Sequence, residues 1–500
     1  MADRPVLAFE DRSYGRAELD ALTEGMARRL AGRGVRPGDR VALMSSNRPE
    51  FVIAIRALWR LGASAVLFSP AWRAGEVEYA LGLTEPRHAV GDHEALAAVL
   101  PMLHLDEPIE PIEPVLPAGP GPGVDRGGAA GVGPVGAEVW PAPPPDAEAL
   151  LVFSSGTTGL PKAVRHTHAT FGAAVGQWRR ALGMSGADRM QIATPPSHIL
   201  GILNIITVLE SGAWMRLHRR FDLDQVLRGI ERDRVTIEMA VAPIALAMAA
   251  HPDLESFDLS SLRYIMWCAT PVTPSVAESV TARTGVGWVT GYGSSEVPVF
   301  TCSPFAADEL RGSPLDSVGR VVDGVELRVV DPDSGVVLPD GAIGEIQARS
   351  ASAMVGYLPP EATAQAFQDD WYRTGDIGQV DADGWVRLTD RRKEMIKVRA
   401  FQVAPAEVET VLHSHPAVID CAVFGVADDA DGERVVAAVA TRAPVEADEL
   451  VALVGGRLAS YKRPRHVLFV DEIPRLPSGK VLRRVLRARY EEVDARETAP

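Results

Sequence analysis

Three short runs in the first third of the chain, Val41–Met44, Ala65–Phe68 and Leu150–Phe153, are apolar at every position. A strand with one face in water alternates apolar and polar residues, so an unbroken run of this length reads as a strand covered on both faces. Elsewhere the spacing is helical, as at Leu19, Leu22, Met26 and Leu30. Repeated units of this kind predict an α/β fold in which helices cover a mostly parallel sheet.

The pattern changes twice further on. From about Leu327 to Trp385, short β segments are punctuated by turns such as Asp333-Ser-Gly, Pro339-Asp-Gly and Asp381-Ala-Asp-Gly, which predicts a small antiparallel sheet or barrel-like part. After Asp390 a new series begins: a strand over Met395–Val398, a helix opened by Pro405, apolar runs at Val418–Val426 and Val435–Val439, a helix near Leu450–Leu458 and a strand at His466–Val470. These predict a self-contained α+β unit. The expected division is a large N-terminal domain over residues 1–389 and a smaller, mobile C-terminal domain over 390–500. Pro117–Pro145, with eight Pro and eight Gly in 29 residues, reads as an irregular loop.

The 51 basic and 66 acidic side chains give a net charge of −15, which argues against nucleic acid or an anionic membrane as partner. Cys268, Cys302 and Cys421 are far apart and show no metal-ligand spacing. The first residues lack a basic-then-apolar signal pattern, and the longest apolar runs, near Ile199–Leu209 and Met239–Ala250, are too short for a membrane span. A soluble, cytoplasmic protein is the expectation.

Only five of the 51 basic residues are lysine: Lys162, Lys393, Lys397, Lys462 and Lys480. Codon bias explains the scarcity but not the placement, since all five stand in glycine-, proline- or turn-rich segments. Such positions call for a compact, mobile ammonium where a planar guanidinium would not serve.

The densest of these segments is Ser154-Ser-Gly-Thr-Thr-Gly-Leu-Pro-Lys162, directly after the run Leu150–Phe153. Its hydroxyls (Ser154, Ser155, Thr157, Thr158), its glycines (Gly156, Gly159) and Lys162 stand at the carboxyl end of a buried strand. Together they can surround phosphate oxygens with N–H, O–H and ammonium donors. The spacing is not that of the P-loop, G-x-x-x-x-G-K-[ST].

This loop resembles the signature of the adenylate-forming superfamily, which holds acyl- and aryl-CoA synthetases, luciferase-like enzymes and the adenylation domains of nonribosomal peptide synthetases. Further matches follow in order: Gly291-Tyr-Gly-Ser-Ser-Glu296, Gly344-Glu-Ile346, Gly356-Tyr357, Tyr372-Arg-Thr-Gly-Asp376, Asp390-Arg-Arg-Lys-Glu-Met-Ile-Lys397, Phe401-Gln-Val-Ala-Pro-Ala-Glu-Val-Glu409 and Pro474-Arg-Leu-Pro-Ser-Gly-Lys480. The ordered set spans nearly the whole chain.

The resemblance implies a ligase that joins a carboxylic acid to a thiol with ATP, Mg²⁺ and coenzyme A. A carboxylate does not react with a thiol at neutral pH because its leaving oxygen is poor. Such an enzyme first makes a mixed anhydride with AMP and expels pyrophosphate, a meeting of anions that needs cations in position. By resemblance, Lys480 would bridge the attacking carboxylate and the α-phosphate. Lys397, with Gln402, would serve thioester formation after the C-terminal domain turns about a hinge at Asp390, and Arg391 would contact ribose. Glu296 and Thr157 would hold Mg²⁺. The loop Ser154–Lys162 with Gly291, Tyr292, Gly293 and Ser295 would surround the nucleotide, Tyr292 lying against adenine and Ala269 and Thr270 beside it. Asp376 is suited to accept both ribose hydroxyls. His198, Trp267, Cys268 and Gly291 would line the acid's pocket.

The sequence departs from the family pattern at several positions. Cys268 stands where relatives carry glycine, and with Trp267 it predicts a narrowed pocket for a small, medium-sized or aryl acid rather than a long fatty chain. Ala163 and Ala400 also replace glycines, and a methyl at Ala400 bears on the thiol channel. The acceptor is open between coenzyme A and a carrier-protein thiol. Two rival classes are a nonenzymatic nucleotide-binding protein and a serine hydrolase. Retention of Lys480, Glu296 and Asp376 argues against the first, and the lack of a G-x-S-x-G elbow against the second.

Overall fold

The structure, a computed structural model, describes residues 4–100, 102–109, 140–154, 161–269, 272–310, 312–391, 394–398, 401–428, 432–475 and 479–497. The three apolar runs lie in parallel strands of one sheet: Arg40–Met44 pairs with Ser64–Phe68, which pairs with Glu148–Ser154. Their side chains alternate between two cores. Val41, Leu43, Ala65, Leu67, Leu150 and Val152 face one, and Ala42, Met44, Val66, Phe68 and Leu151 face the other. Both faces are out of water, which is why the runs are unbroken. This seven-stranded sheet turns antiparallel where Glu148–Ser154 pairs with Lys162–Thr167 and then Gly356–Leu358.

A second, nine-stranded sheet has a parallel centre made of Trp214–Leu217, Arg189–Ile192, Ile237–Ala240, Tyr264–Trp267 and Trp288–Tyr292. The apolar run near Ile199 is the helix Ile199–Glu210, buried from Ile199 through Leu209. A helix apolar all round belongs in a core, and no helix among the described residues is long and apolar enough to cross a membrane. The expected small antiparallel sheet is built from Val325–Val330, Gly344–Ser350, Trp371–Val380 and Val386–Arg391.

Beyond Arg391 a separate sheet forms from Ile396–Val398, Phe401–Val403, Val418–Asp428, Gly432–Thr441 and His466–Phe469. Its two-residue periodicity feeds two cores. Cys421, Val423, Ala437 and Val439 pack with Val408, Leu412 and Leu450, from the helices Pro405–His413 and Ala447–Gly455. Ala422, Phe424, Val436 and Ala438 pack with Leu486 and Tyr490 of the helix Arg483–Glu497. Neither core contains a residue before Ile396. Asp390 and Arg391 are the last residues of a strand in the preceding sheet. Most of the proline- and glycine-rich stretch lies outside the described residues.

Candidate active site

A cavity of about 960 Å³ opens where the strands Glu148–Ser154, Tyr264–Trp267 and Trp288–Tyr292 end, with the small antiparallel sheet and Lys480 completing its wall. The carboxyl ends of strands are where open α/β sheets hold ligands. Of the residues expected at a site, Ser154, Lys162, His198, Cys268, Ala269, Gly291, Tyr292, Gly293, Ser295, Glu296, Asp376 and Lys480 line this one space. Ser155, Gly156, Thr157, Thr158, Gly159, Thr270 and Ala400 lie outside the described residues.

At one end the hairpin sets the geometry. Ser154 and Lys162 are cross-strand partners, so the intervening loop is closed at its base by a ladder rung. Lys162 Nζ lies 5.1 Å from the ring centre of Tyr357, a cation–π contact, and the Tyr357 hydroxyl donates to Glu296 Oε1 at 2.8 Å. Tyr357 also hydrogen-bonds Tyr372, whose hydroxyl is pushed well above its usual range by burial and by the neighbouring Glu296. Glu296 closes a tight turn. Ser294 Oγ accepts from the N–H groups of Glu296 and Val297 at 3.2 and 3.1 Å, and a Cβ at Gly293 would lie 2.0 Å from the carbonyl oxygen of Pro298. Buried His166 supports the turn by donating from Nε2 to the Ser295 carbonyl at 2.8 Å, and burial holds its pKa below the usual value.

In the next part of the cavity the Tyr292 hydroxyl donates to Asp376 Oδ2 at 2.5 Å, while the Tyr292 ring packs at 4.6 Å between centres on Phe300. Thr374 Oγ1 accepts from the Asp376 N–H at 3.0 Å. Asp376 is the cross-strand partner of Arg391. Beside them Arg373 donates to buried Glu345 at 3.0 Å.

The third part is apolar. His198 caps the helix Ile199–Glu210 with Nδ1 accepting from the Leu200 N–H at 3.2 Å, and burial pushes its pKa down to about 4. It is therefore a neutral imidazole with its proton on Nε2. Burial pushes the Cys268 thiol up to about 12, so it stays protonated and acts as a small apolar wall. Ala269 adopts φ of 68°, a left-handed conformation that a residue with a Cβ holds only at a cost of roughly 1–2 kcal/mol. Trp267 corrects the sequence reading. It is fully buried inside the sheet, 5.3 Å from the Trp288 ring, and does not line the cavity. Trp267 is the last residue of its strand and packs into the core, while Cys268, just past the strand end, lines the cavity.

The lysines separate clearly. Lys480 follows Gly479, at φ 85°, on a loop that Arg475 holds by donating to the Gly479 carbonyl at 2.8 Å while pairing with Asp420. Lys397 is exposed on the strand Ile396–Val398, away from the cavity, and its strand partner is Gln402. Lys462 grips both carboxylate oxygens of Glu407, a structural pair. Among the described residues no group of three or more His, Cys, Asp or Glu could hold a metal ion. Glu296 brings one carboxylate, which suits Mg²⁺ completed by phosphates and water. The sequence reading passed over His166, Ser294, Trp178 and any role for Tyr357. Ser294 and Tyr357 carried a signal, each as part of a matched motif, while His166 and Trp178 carried none.

Comparison with known proteins identifies the family and the fold. The AMP-binding enzyme family matches residues 1–358 and the AMP-binding enzyme C-terminal domain matches residues 407–480. 4-Coumarate–CoA ligase 2 of Oryza sativa subsp. japonica is 36% identical over 98% of this chain and 90% of its own. The structure of o-succinylbenzoate coenzyme A synthetase (MenE) from Bacillus subtilis, in complex with ATP and magnesium ion, is 29% identical with a TM-score of 0.81 and covers 96% of both chains. Amide bond synthetase McbA from Marinactinospora thermotolerans is 32% identical with a TM-score of 0.85 and covers 97% of both chains. The chain belongs to the AMP-binding enzyme family.

Proposed function

We propose that the protein is an ATP-dependent carboxylate–CoA ligase. A carboxylate oxygen attacks the α-phosphorus of ATP, the bond to the β-phosphate oxygen breaks, and pyrophosphate leaves. The sulfur of coenzyme A then attacks the acyl carbonyl of the acyl-adenylate, the bond to AMP breaks, and the thiol proton is released. The observation that carries this reading is the reach of Lys480 into the cavity that Glu296, Tyr292, Asp376 and Lys162 line.

Each residue's task follows from its chemistry. Lys480 sits where its ammonium can lower the repulsion between the incoming carboxylate and the α-phosphate. Asp376 accepts ribose hydroxyls and Tyr292 packs on adenine, with their mutual hydrogen bond fixing both. Ser154 and Lys162 hold the ends of a loop rich in phosphate donors. Glu296 would hold Mg²⁺, which when bound neutralises phosphate charge. Neutral His198 donates from Nε2 near the acid's carboxylate.

The second half-reaction belongs to Lys397 and Gln402, brought to the cavity by rotation of the C-terminal domain about Asp390. Their position on a strand outside the cavity, while Lys480 is inside it, supports that division of labour. The test is acid-dependent exchange of pyrophosphate into ATP, followed by AMP release with and without coenzyme A. Exchange accompanied by AMP release that coenzyme A does not stimulate would move the reading to a carrier-protein or amine acceptor.

A further inference from the structure

We propose that Trp178, latched by Asn204, is the end wall of the acid pocket and restricts the enzyme to compact, uncharged monocarboxylic acids of aryl or short alkyl type. This rests on the ligase reading.

Trp178 lies in the helix His168–Ala181, lines the cavity, and is 3% exposed. The far edge of its ring, Cη2, is 3.8 Å from where a Cβ on Gly291 would stand, and Met266 Cε closes the same place from the other side at 2.3 Å. Leu203, next to Asn204 on its helix, and Cys268 also line the cavity. The ring is not free to rotate away, because its Nε1–H donates to Asn204 Oδ1 at 2.8 Å.

Asn204 gives the argument its force. It is fully buried on a helix whose other buried residues are apolar except Thr207, and its Nδ2 has no hydrogen-bond partner among the described residues. An indole N–H can only donate, so the amide oxygen must face it and the amide nitrogen is left over. A leucine here would pack without leaving a polar atom unpaired, so stability does not account for the asparagine. Fixing the tryptophan does.

The charge pattern sets the class. The cations along the cavity, Lys162, Arg373 and Lys480, stand on the hairpin, the small sheet and the C-terminal unit. Gly291 and Met266 lie beside Trp178, and the cavity's apolar lining includes Leu203 and the Cys268 thiol. A second carboxylate on the acid would be buried there without a cation to pair with, and the one spare donor nearby, the Asn204 amide nitrogen, belongs to a residue that does not line the cavity. The proposed substrates thus resemble cinnamate or benzoate rather than a dianion such as o-succinylbenzoate.

The test is acid-dependent pyrophosphate exchange by the full chain with benzoate, cinnamate, 4-coumarate, octanoate and o-succinylbenzoate, for wild type, Trp178→Ala, Trp178→Phe and Asn204→Leu. Wild type should favour the aryl monocarboxylates over o-succinylbenzoate by at least about tenfold in kcat/KM. Trp178→Ala should raise octanoate relative to benzoate by about tenfold. Asn204→Leu should shift the ratio in the same direction while melting no lower than wild type, a combination that a purely structural role would not produce. If Trp178→Ala does not fold, Trp178→Phe, which loses only the indole donor and some length, carries the comparison with Asn204→Leu. Exchange that responds to acids but keeps one profile across all variants overturns the proposal and leaves the ligase reading standing. No exchange with any acid overturns both.

Discussion

The hydroxyl of Tyr357 donates to Glu296 while the face of its ring lies 5.1 Å from Lys162 Nζ. A single side chain thus sets the spacing between a carboxylate and an ammonium that come from separate elements. Removing the hydroxyl alone, as in Tyr357→Phe, forfeits a buried hydrogen bond to a charged group, worth about 1.5–3 kcal/mol. Pyrophosphate exchange should fall at least about tenfold with KM for the acid unchanged, and Mn²⁺ binding in the presence of a nonhydrolysable ATP analogue, followed by electron paramagnetic resonance, should weaken. Undiminished Mn²⁺ affinity would show that Tyr357 does not orient Glu296.

The two-lysine division predicts opposite phenotypes. Lys480→Ala should slow adenylation by about 10²–10³ while still converting supplied acyl-adenylate to thioester. Lys397→Ala should preserve pyrophosphate exchange and lose the coenzyme A step. Rapid-quench measurement of each half-reaction separates these outcomes, and equal damage to both steps in both variants would rule the division out.

A buried triad behind the second sheet gives a pH dependence. Gln191 Nε2 donates to Glu238 at 3.1 Å, and its Oε1 accepts from His218 Nε2 at 2.6 Å. Burial pushes Glu238 up to about 8 and His218 down to about 4. Glu238 has a folded value above its unfolded one of about 4.3, so its contribution is complete at low pH and is lost as pH rises through 8. His218 is the reverse: its contribution is present above its unfolded value of about 6.5 and is lost as pH falls toward 4. The two slopes offset each other between about pH 4.3 and 6.5. From there to pH 8 the Glu238 contribution falls by about 2 kcal/mol, opposed by the last part of the rise from buried histidines such as His218, His166 and His198. Urea melts of wild type and Glu238→Gln at pH 6.5 and 8 check this: on going to pH 8 the wild type should lose about 2 kcal/mol relative to the variant.

Gly293→Ala would drive a methyl into the backbone carbonyl of Pro298, which cannot swing aside. The turn that carries Glu296 should open, with a loss of about 2 kcal/mol and of adenylation together. Gly291→Ala meets only the flexible end of Met266, so it should fold normally and shrink the acid pocket. Calorimetry with an acid panel distinguishes the two glycines.

Much of the architecture was legible because it rests on periodicity. The unbroken runs at Val41–Met44 and Leu150–Phe153 demanded cover on both faces, and the C-terminal series resolved into a sheet with a core on each side. The described residues proposed to hold the nucleotide meet in one cavity, and they were legible as candidates because they cluster in short ordered motifs. Trp267 was misread because adjacency in sequence is not adjacency in space: it ends its strand inside the core, while Cys268, just past the strand end, lines the cavity. Trp178 and Asn204 were invisible for another reason. Each is a lone residue within a helix, 26 positions apart, and only packing brings the indole to the amide.

The rung that pairs Asp376 with Arg391 has a mechanical consequence. Everything downstream of Arg391 hangs from a strand whose neighbour holds the proposed grip on the sugar, so a turn at this joint pivots beside the nucleotide rather than dragging it along. In the proposed rotation the acyl-adenylate would stay clasped while the tail exchanges one face for another, and the activated acid need not meet water during the changeover.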